Sequence, residues 1–91
     1  MQQITIVVHG KVQGVGYRYN TRIEATKLDL TGYVRNCPDG TVKIVAEGKT
    51  ADLQTLLHWA EAGPPAAQVT HTDVAYAEAS GDFAAFTIER S

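Results

Sequence analysis

The stretch Gly10-Lys11-Val12-Gln13-Gly14-Val15-Gly16-Tyr17-Arg18 places three glycines and two cations in nine residues, after an apolar run and before a helical pattern. The first turn of a helix has backbone N–H groups without partners inside it, and a glycine-rich turn lets several of them converge on one point. Glycine at 14 and 16 removes the Cβ that would block such a curl. Arg18 adds a planar fork of donors that matches a tetrahedral oxyanion two oxygens at a time. The set is built to cradle a phosphate. As a bare pattern, a structural turn accounts for glycines after a strand equally well.

Other phosphate chemistries find no support in the chain. The spacing of Gly10, Gly14 and Gly16 is neither the dinucleotide G-x-G-x-x-G nor the P-loop G-x-x-x-x-G-K-[ST], so ATP and NAD chemistry are not indicated. Cys37 has Lys43 where a thiol phosphatase needs its loop arginine, and no paired aspartate motif offers a carboxylate nucleophile. His9, His58 and His71 form no metal-ligand cluster by spacing and read as surface residues. Lys11, Arg22 and Arg35 read as solvated cations, and Trp59 and Tyr33 as packing residues.

A loop of this kind needs a frame. Ile4, Ile6 and Val8 alternate with Thr5, Val7 and His9, the period of a strand that runs into the glycines. From about Arg18 to Leu28 the period changes, with Tyr19, Ile23 and Thr26, continuing to Leu30, expected on one face of a helix and Arg22, Glu24 and Lys27 turned elsewhere. Thr31 to Cys37 and Thr41 to Glu47 read as a hairpin around Pro38-Asp39-Gly40. Thr50 is the expected N-cap of a second helix, with Leu53, Leu56, Leu57 and Ala60 inward and Gly63-Pro64-Pro65 as its stop. An extended stretch from Gln68 to Ala77 completes the order strand, helix, strand, strand, helix, strand, and a last one from Ala84 to Arg90 offers a fifth strand. That order predicts an α+β, ferredoxin-like split βαβ sandwich: an antiparallel sheet of four to five strands with two helices on one face.

Composition bounds what such a fold meets. Residues 1–91 are enough for a single domain, and no repeat or linker divides them. A net charge of -2 and a pI near 5.8 argue against bulk attraction to nucleic acid or an anionic membrane, so any anion site is local. RNA binding of the RRM kind is disfavoured as well, because Thr41-Val42-Lys43-Ile44-Val45 lacks the aromatics of that fold's third strand. The start MQQITIVVHGK has neither a basic leader nor an apolar run long enough to span a bilayer, and Cys37 stands alone. A monomer of the reducing cytoplasm, with no membrane or nucleic-acid partner, is expected.

The segment GKVQGVGYR, followed after one helix by Gly32-Tyr33-Val34-Arg35-Asn36, resembles the signature of the acylphosphatase family, G-x-V-Q-G-V-x-[FY]-R and then G-[WYF]-V-x-N. The likeness continues through Asp39-Gly40-Thr41-Val42 and the closing Phe86-Thr87-Ile88. It implies that Arg18 binds the phosphate, that the backbone amides of about Val15, Gly16, Tyr17 and Arg18 complete the cradle, and that Asn36 positions the attacking water. One departure is visible, Cys37 where relatives often carry a hydroxyl residue. A hydroxyl's support of Asn36 would be weakened there.

Chemically, these groups suffice. An acyl phosphate expels a carboxylate, whose conjugate acid has a pKa of roughly 4, so no general acid is required. A loose phosphoryl transition state asks for placement and charge stabilisation, which an arginine and amides supply without metal or cofactor. The expected reaction is hydrolysis of a small acyl phosphate to a carboxylate and inorganic phosphate. The alternative is a non-catalytic module that binds an acyl or carbamoyl phosphate, as similar domains do inside larger hydrogenase-maturation proteins. Presence of both Arg18 and Asn36 leans toward catalysis.

Overall fold

Alternation of apolar and polar residues from Gln2 to Lys11 produces a strand, β1 (Gln2–Lys11), whose Ile4, Ile6 and Val8 are fully buried. The computed structural model describes residues 1–90, so Ser91, the last residue of the expected domain, lies outside the described residues. After β1 come α1 (Tyr17–Lys27), β2 (Thr31–Asn36), β3 (Val42–Gly48), α2 (Thr50–Ala62), β4 (Gln68–Glu78) and β5 (Phe86–Glu89). The strands form one sheet in the order β4-β1-β3-β2-β5. Its apolar side, carrying Val34, Val42, Ile44 and the β1 residues, shares one core with Tyr17 and Ala25 of α1 and Leu53, Leu56 and Ala60 of α2. No helix among the described residues is long and apolar enough to cross a membrane.

Four strands pair antiparallel as expected, whereas β5 pairs parallel to β2, with Gly32 opposite Phe86 and Val34 opposite Ile88. The sheet is therefore mixed. The cause lies in the connector from Ala79 to Ala85, which leaves β4 at one edge and crosses the end of the sheet to the other. A chain arriving there enters the new strand from the end at which β2 begins, and Gly32 N–H donates to Ala85 at 3.0 Å as it does so.

Glu47 holds that connector. Its buried carboxylate accepts from Ser80 N–H at 2.7 Å, Ser80 Oγ at 2.8 Å, Gly81 N–H at 3.0 Å and Gln3 Nε2 at 2.7 Å. Burial pushes its pKa up, but these donors outweigh burial and hold it at about 2, below the ordinary 4.5. A folded value below the unfolded one means that the stabilisation is complete above about pH 4.5 and is lost as pH falls toward 2. Glu47→Gln is expected to cost about 2 kcal/mol at neutral pH, the scale of a charged hydrogen bond. Thermal melts across a pH series should show the gap to the parent closing in acid; a gap independent of pH would remove the charge as its source.

Two local expectations change. The buried face of α1 is Tyr17, Thr21 and Ala25, while Tyr19 is 57% exposed. Small residues at 21 and 25 bring the helix close to the sheet, and the Thr21 hydroxyl satisfies itself on Tyr17 C=O at 2.8 Å. Thr50 is the first residue of α2, not its cap; Lys49 precedes the helix, and the Thr50 hydroxyl donates to Gln2 Oε1 at 2.7 Å.

Candidate functional site

The cradle forms because the chain must leave β1 and start α1 with its first N–H groups uncovered. Gly16 caps the helix at φ 76°, a left-handed conformation that L side chains rarely adopt, and Gly14 has φ 73°. Among the described residues no side chain caps α1, and its first turn has no acidic residue. Asn20 pins the turn from inside, donating from N–H at 3.1 Å and from Nδ2 at 2.8 Å to Gly16 C=O. Tyr17 anchors the helix start in the core, its hydroxyl donating to Ala60 C=O at 2.6 Å and its ring tilted on Trp59. Burial pushes the Tyr17 pKa up, so the phenol stays a neutral donor.

The second half of the site comes from the end of β2. Asn36 pairs with Val42, and the chain turns at Asp39-Gly40, where Cys37 N–H donates to Thr41 C=O at 2.9 Å. Asp39 accepts from the Thr41 hydroxyl at 2.6 Å and from its N–H at 3.0 Å, and the hydroxyl bond is the main cause holding its carboxyl below the usual range. Gln13 joins the halves. Its Nε2 donates to Cys37 C=O at 2.8 Å and Thr41 C=O at 2.9 Å, tying the glycine loop to the turn directly after Asn36.

Between them lies an open cleft of about 530 Å³ lined by Gly14, Gly16, Arg18, Tyr19, Asn36 and Arg90, with Val12 and Ile88 as apolar wall. Arg18, at the start of α1, and Asn36, at the end of β2, line the same space. Among the described residues, Arg18 forms no ion pair, the two present being His9–Asp73 and Lys27–Glu24. Its charge is thus free to face a ligand. Asn36 Oδ1 is buried and has no hydrogen-bond partner among the described residues. A buried acceptor left without a donor costs roughly 1–3 kcal/mol, a cost offset when a bound molecule supplies the donor.

Of the residues whose amides are expected in the cradle, Gly16, Tyr17 and Arg18 line the cleft together with Gly14, and the Val15 side chain packs against the core. Sequence reasoning missed Gln13, Tyr19 and Arg90. Gln13 stands inside the quoted motif and was legible as a polar residue between glycines; Arg90 carried no signal, because it reaches the cleft only through the parallel pairing of β5. The histidines also need correcting. His9 lies opposite His71 across β1 and β4, and these two with Asp73 form a cluster of ligand-type atoms within 4.8 Å of one another. His58 stays exposed on α2.

The acylphosphatase family model matches residues 4–88, which includes the loop, the helix, the hairpin and β5. The chain belongs to the acylphosphatase family. As a member of it, the chain is an enzyme. An acylphosphatase of Acaryochloris marina is 52% identical over 92% of this chain and 89% of its own. One from Methylococcus capsulatus is 44% identical over 99% of this chain and 98% of its own. The crystal structure of acylphosphatase from Bacillus subtilis superposes with a TM-score of 0.94 at 39% identity, covering 98% of this chain and 99% of that one. The mixed five-stranded sheet with two helices is thus the acylphosphatase fold, ferredoxin-like as the element order predicts.

Proposed function

We propose that the cleft hydrolyses the carboxyl–phosphate bond of small acyl phosphates, with Arg18 and the amides at the start of α1 holding the phosphoryl group and Asn36 orienting the attacking water. The observation that carries this reading is the placement, on one cleft beside a helix start, of a guanidinium without an ion pair and a buried amide oxygen without a hydrogen-bond partner among the described residues. Asn36 Oδ1 accepts one water hydrogen and aims the water's lone pair at phosphorus. As the P–O bond to water forms, the bond to the acyl oxygen breaks and its electron pair leaves on the carboxylate. The water proton passes to a phosphate oxygen, giving carboxylate and inorganic phosphate. Because the leaving group departs as a weak base, neither a general acid nor a metal is called for. Arg18 with the helix amides meets charge spread over the equatorial oxygens.

This scheme sets a limit on substrates. An alkyl phosphate monoester, whose leaving alkoxide is strongly basic, needs a general acid, and the lining residues supply no histidine or carboxyl for that part, a deficit on the order of 10²–10⁴ in rate. In chelator-treated buffer, benzoyl phosphate is expected to turn over at least about a hundredfold faster than an alkyl phosphate monoester such as glycerol phosphate. Comparable turnover of the two would refute the leaving-group argument. Turnover of neither, with inorganic phosphate still bound, would leave a binding module.

A further inference from the structure

We propose that His9, His71 and Asp73 bind a divalent transition-metal ion of the zinc class on the face of the sheet opposite the helices. Strand register brings them together. His9 pairs directly with His71, and Asp73 follows two residues along β4, so all three point to one face, away from buried Ile6 and Val8. His9 Nε2 and Asp73 Oδ2 are 2.8 Å apart, and the ligand atoms of all three residues lie within 4.8 Å of one another. None of the three lines the cleft, and no step of the hydrolysis uses them.

The donor set selects the ion. Two imidazoles and one carboxylate suit zinc, nickel or copper, with water as the fourth ligand, whereas magnesium and calcium require mainly oxygen shells. Zinc bonds of about 2.0–2.2 Å in a tetrahedron place ligand atoms roughly 3.3–3.6 Å apart, inside the range the cluster spans. The rings now stack at 4.0 Å with their planes 13° apart, so their lone pairs run side by side. Convergence on one ion needs rotation about χ2, a soft torsion, and the half-exposed to exposed side chains have room for it. The paired strands already fix the backbone positions of all three ligands, which lowers the ordering cost of binding. An ion held there would clip the start of β4 to the end of β1, next to the register shift between His9 and Gly10 where the cradle begins.

The test is calorimetric titration of the untagged, chelator-stripped chain with zinc chloride near neutral pH, together with histidine ring NMR spectra. One ion per chain is expected, magnesium giving no heat, and the ring signals of His9 and His71 moving while those of His58 stay. His71→Ala and Asp73→Asn should each weaken zinc at least about tenfold, since even residues that only orient a ligand cost that much. Benzoyl phosphate hydrolysis in chelator should be unchanged in both, which separates this site from the cleft. Three results would overturn the proposal: no binding at millimolar zinc, zinc affinity unchanged in a His9→Ala/His71→Ala double variant, or ring shifts confined to His58.

Discussion

Arg18→Ala is expected to lower kcat/KM for benzoyl phosphate by at least about two to three orders of magnitude, or roughly 3–4 kcal/mol of transition-state stabilisation. The size follows from what surrounds the guanidinium. No carboxylate pairs with it among the described residues, so its charge is not already spent inside the fold. It stands on the first turn of α1, where the uncapped N–H groups point the same way and the positive end of the helix adds to it. The phosphoryl group in flight carries charge on three oxygens, and a planar fork engages two of them at once. Arg18→Lys keeps the charge but loses the fork, so it should recover only part of the activity. Folding offers the control. With no ion pair to lose, Arg18→Ala should melt within about 0.5 kcal/mol of the parent, the usual range for a surface change. Parent-like hydrolysis by Arg18→Ala would place the phosphate elsewhere.

That arginine was legible in the sequence because its setting is local: a strand end, three glycines at positive φ and a helix start lie within nine residues. Asn36 became legible through resemblance to a family signature, since nothing in its own neighbourhood announces chemistry. What joins it to Arg18 is the sheet, and sheet pairing is a long-range property. The same limit explains the misreadings. Periodicity along α1 favours Tyr19 and Ile23, yet the helix turns Tyr17, Thr21 and Ala25 inward, because the Tyr17 hydroxyl finds Ala60 and small residues permit close packing. Parallel pairing of β5 depends on a connector bound to Glu47, a contact between residues more than thirty positions apart. His9 and His71 stand 62 positions apart and meet only through the β1–β4 register, so no local spacing could reveal them. Core faces of β1 and α2, by contrast, were read from the pattern, because burial of one face imposes its period on the residues.

Asn36→Ala tests the water. If Asn36 acts on the nucleophile and not on the bound phosphoryl group, its loss should fall on kcat, by about 10²–10³, the effect of removing one preorganised polar group from the reacting centre. KM and inhibition by inorganic phosphate should change little, since the phosphate stays with Arg18 and the loop amides. A purely structural role predicts otherwise. Asn36 ends β2 opposite Val42 and is followed by the turn that Gln13 grips, so a collapse of that corner would loosen the cradle too and weaken phosphate binding along with turnover. The buried Oδ1 sharpens the distinction. It has no partner among the described residues, so deleting it removes an unsatisfied acceptor and should leave stability near the parent value or raise it slightly. Unchanged melting, unchanged phosphate affinity and a kcat lower by two orders of magnitude or more would assign Asn36 to the water. Loss of phosphate affinity in step with kcat would move it into the cradle instead, and the attacking water would then need another acceptor in the cleft, where the remaining lining side chains with polar atoms are Arg18, Arg90, Tyr17 and Tyr19. Two of those are cations with no lone pair to offer, and the Tyr17 hydroxyl is buried in the core beside Ala60, which leaves Tyr19 as the substitute among these side chains.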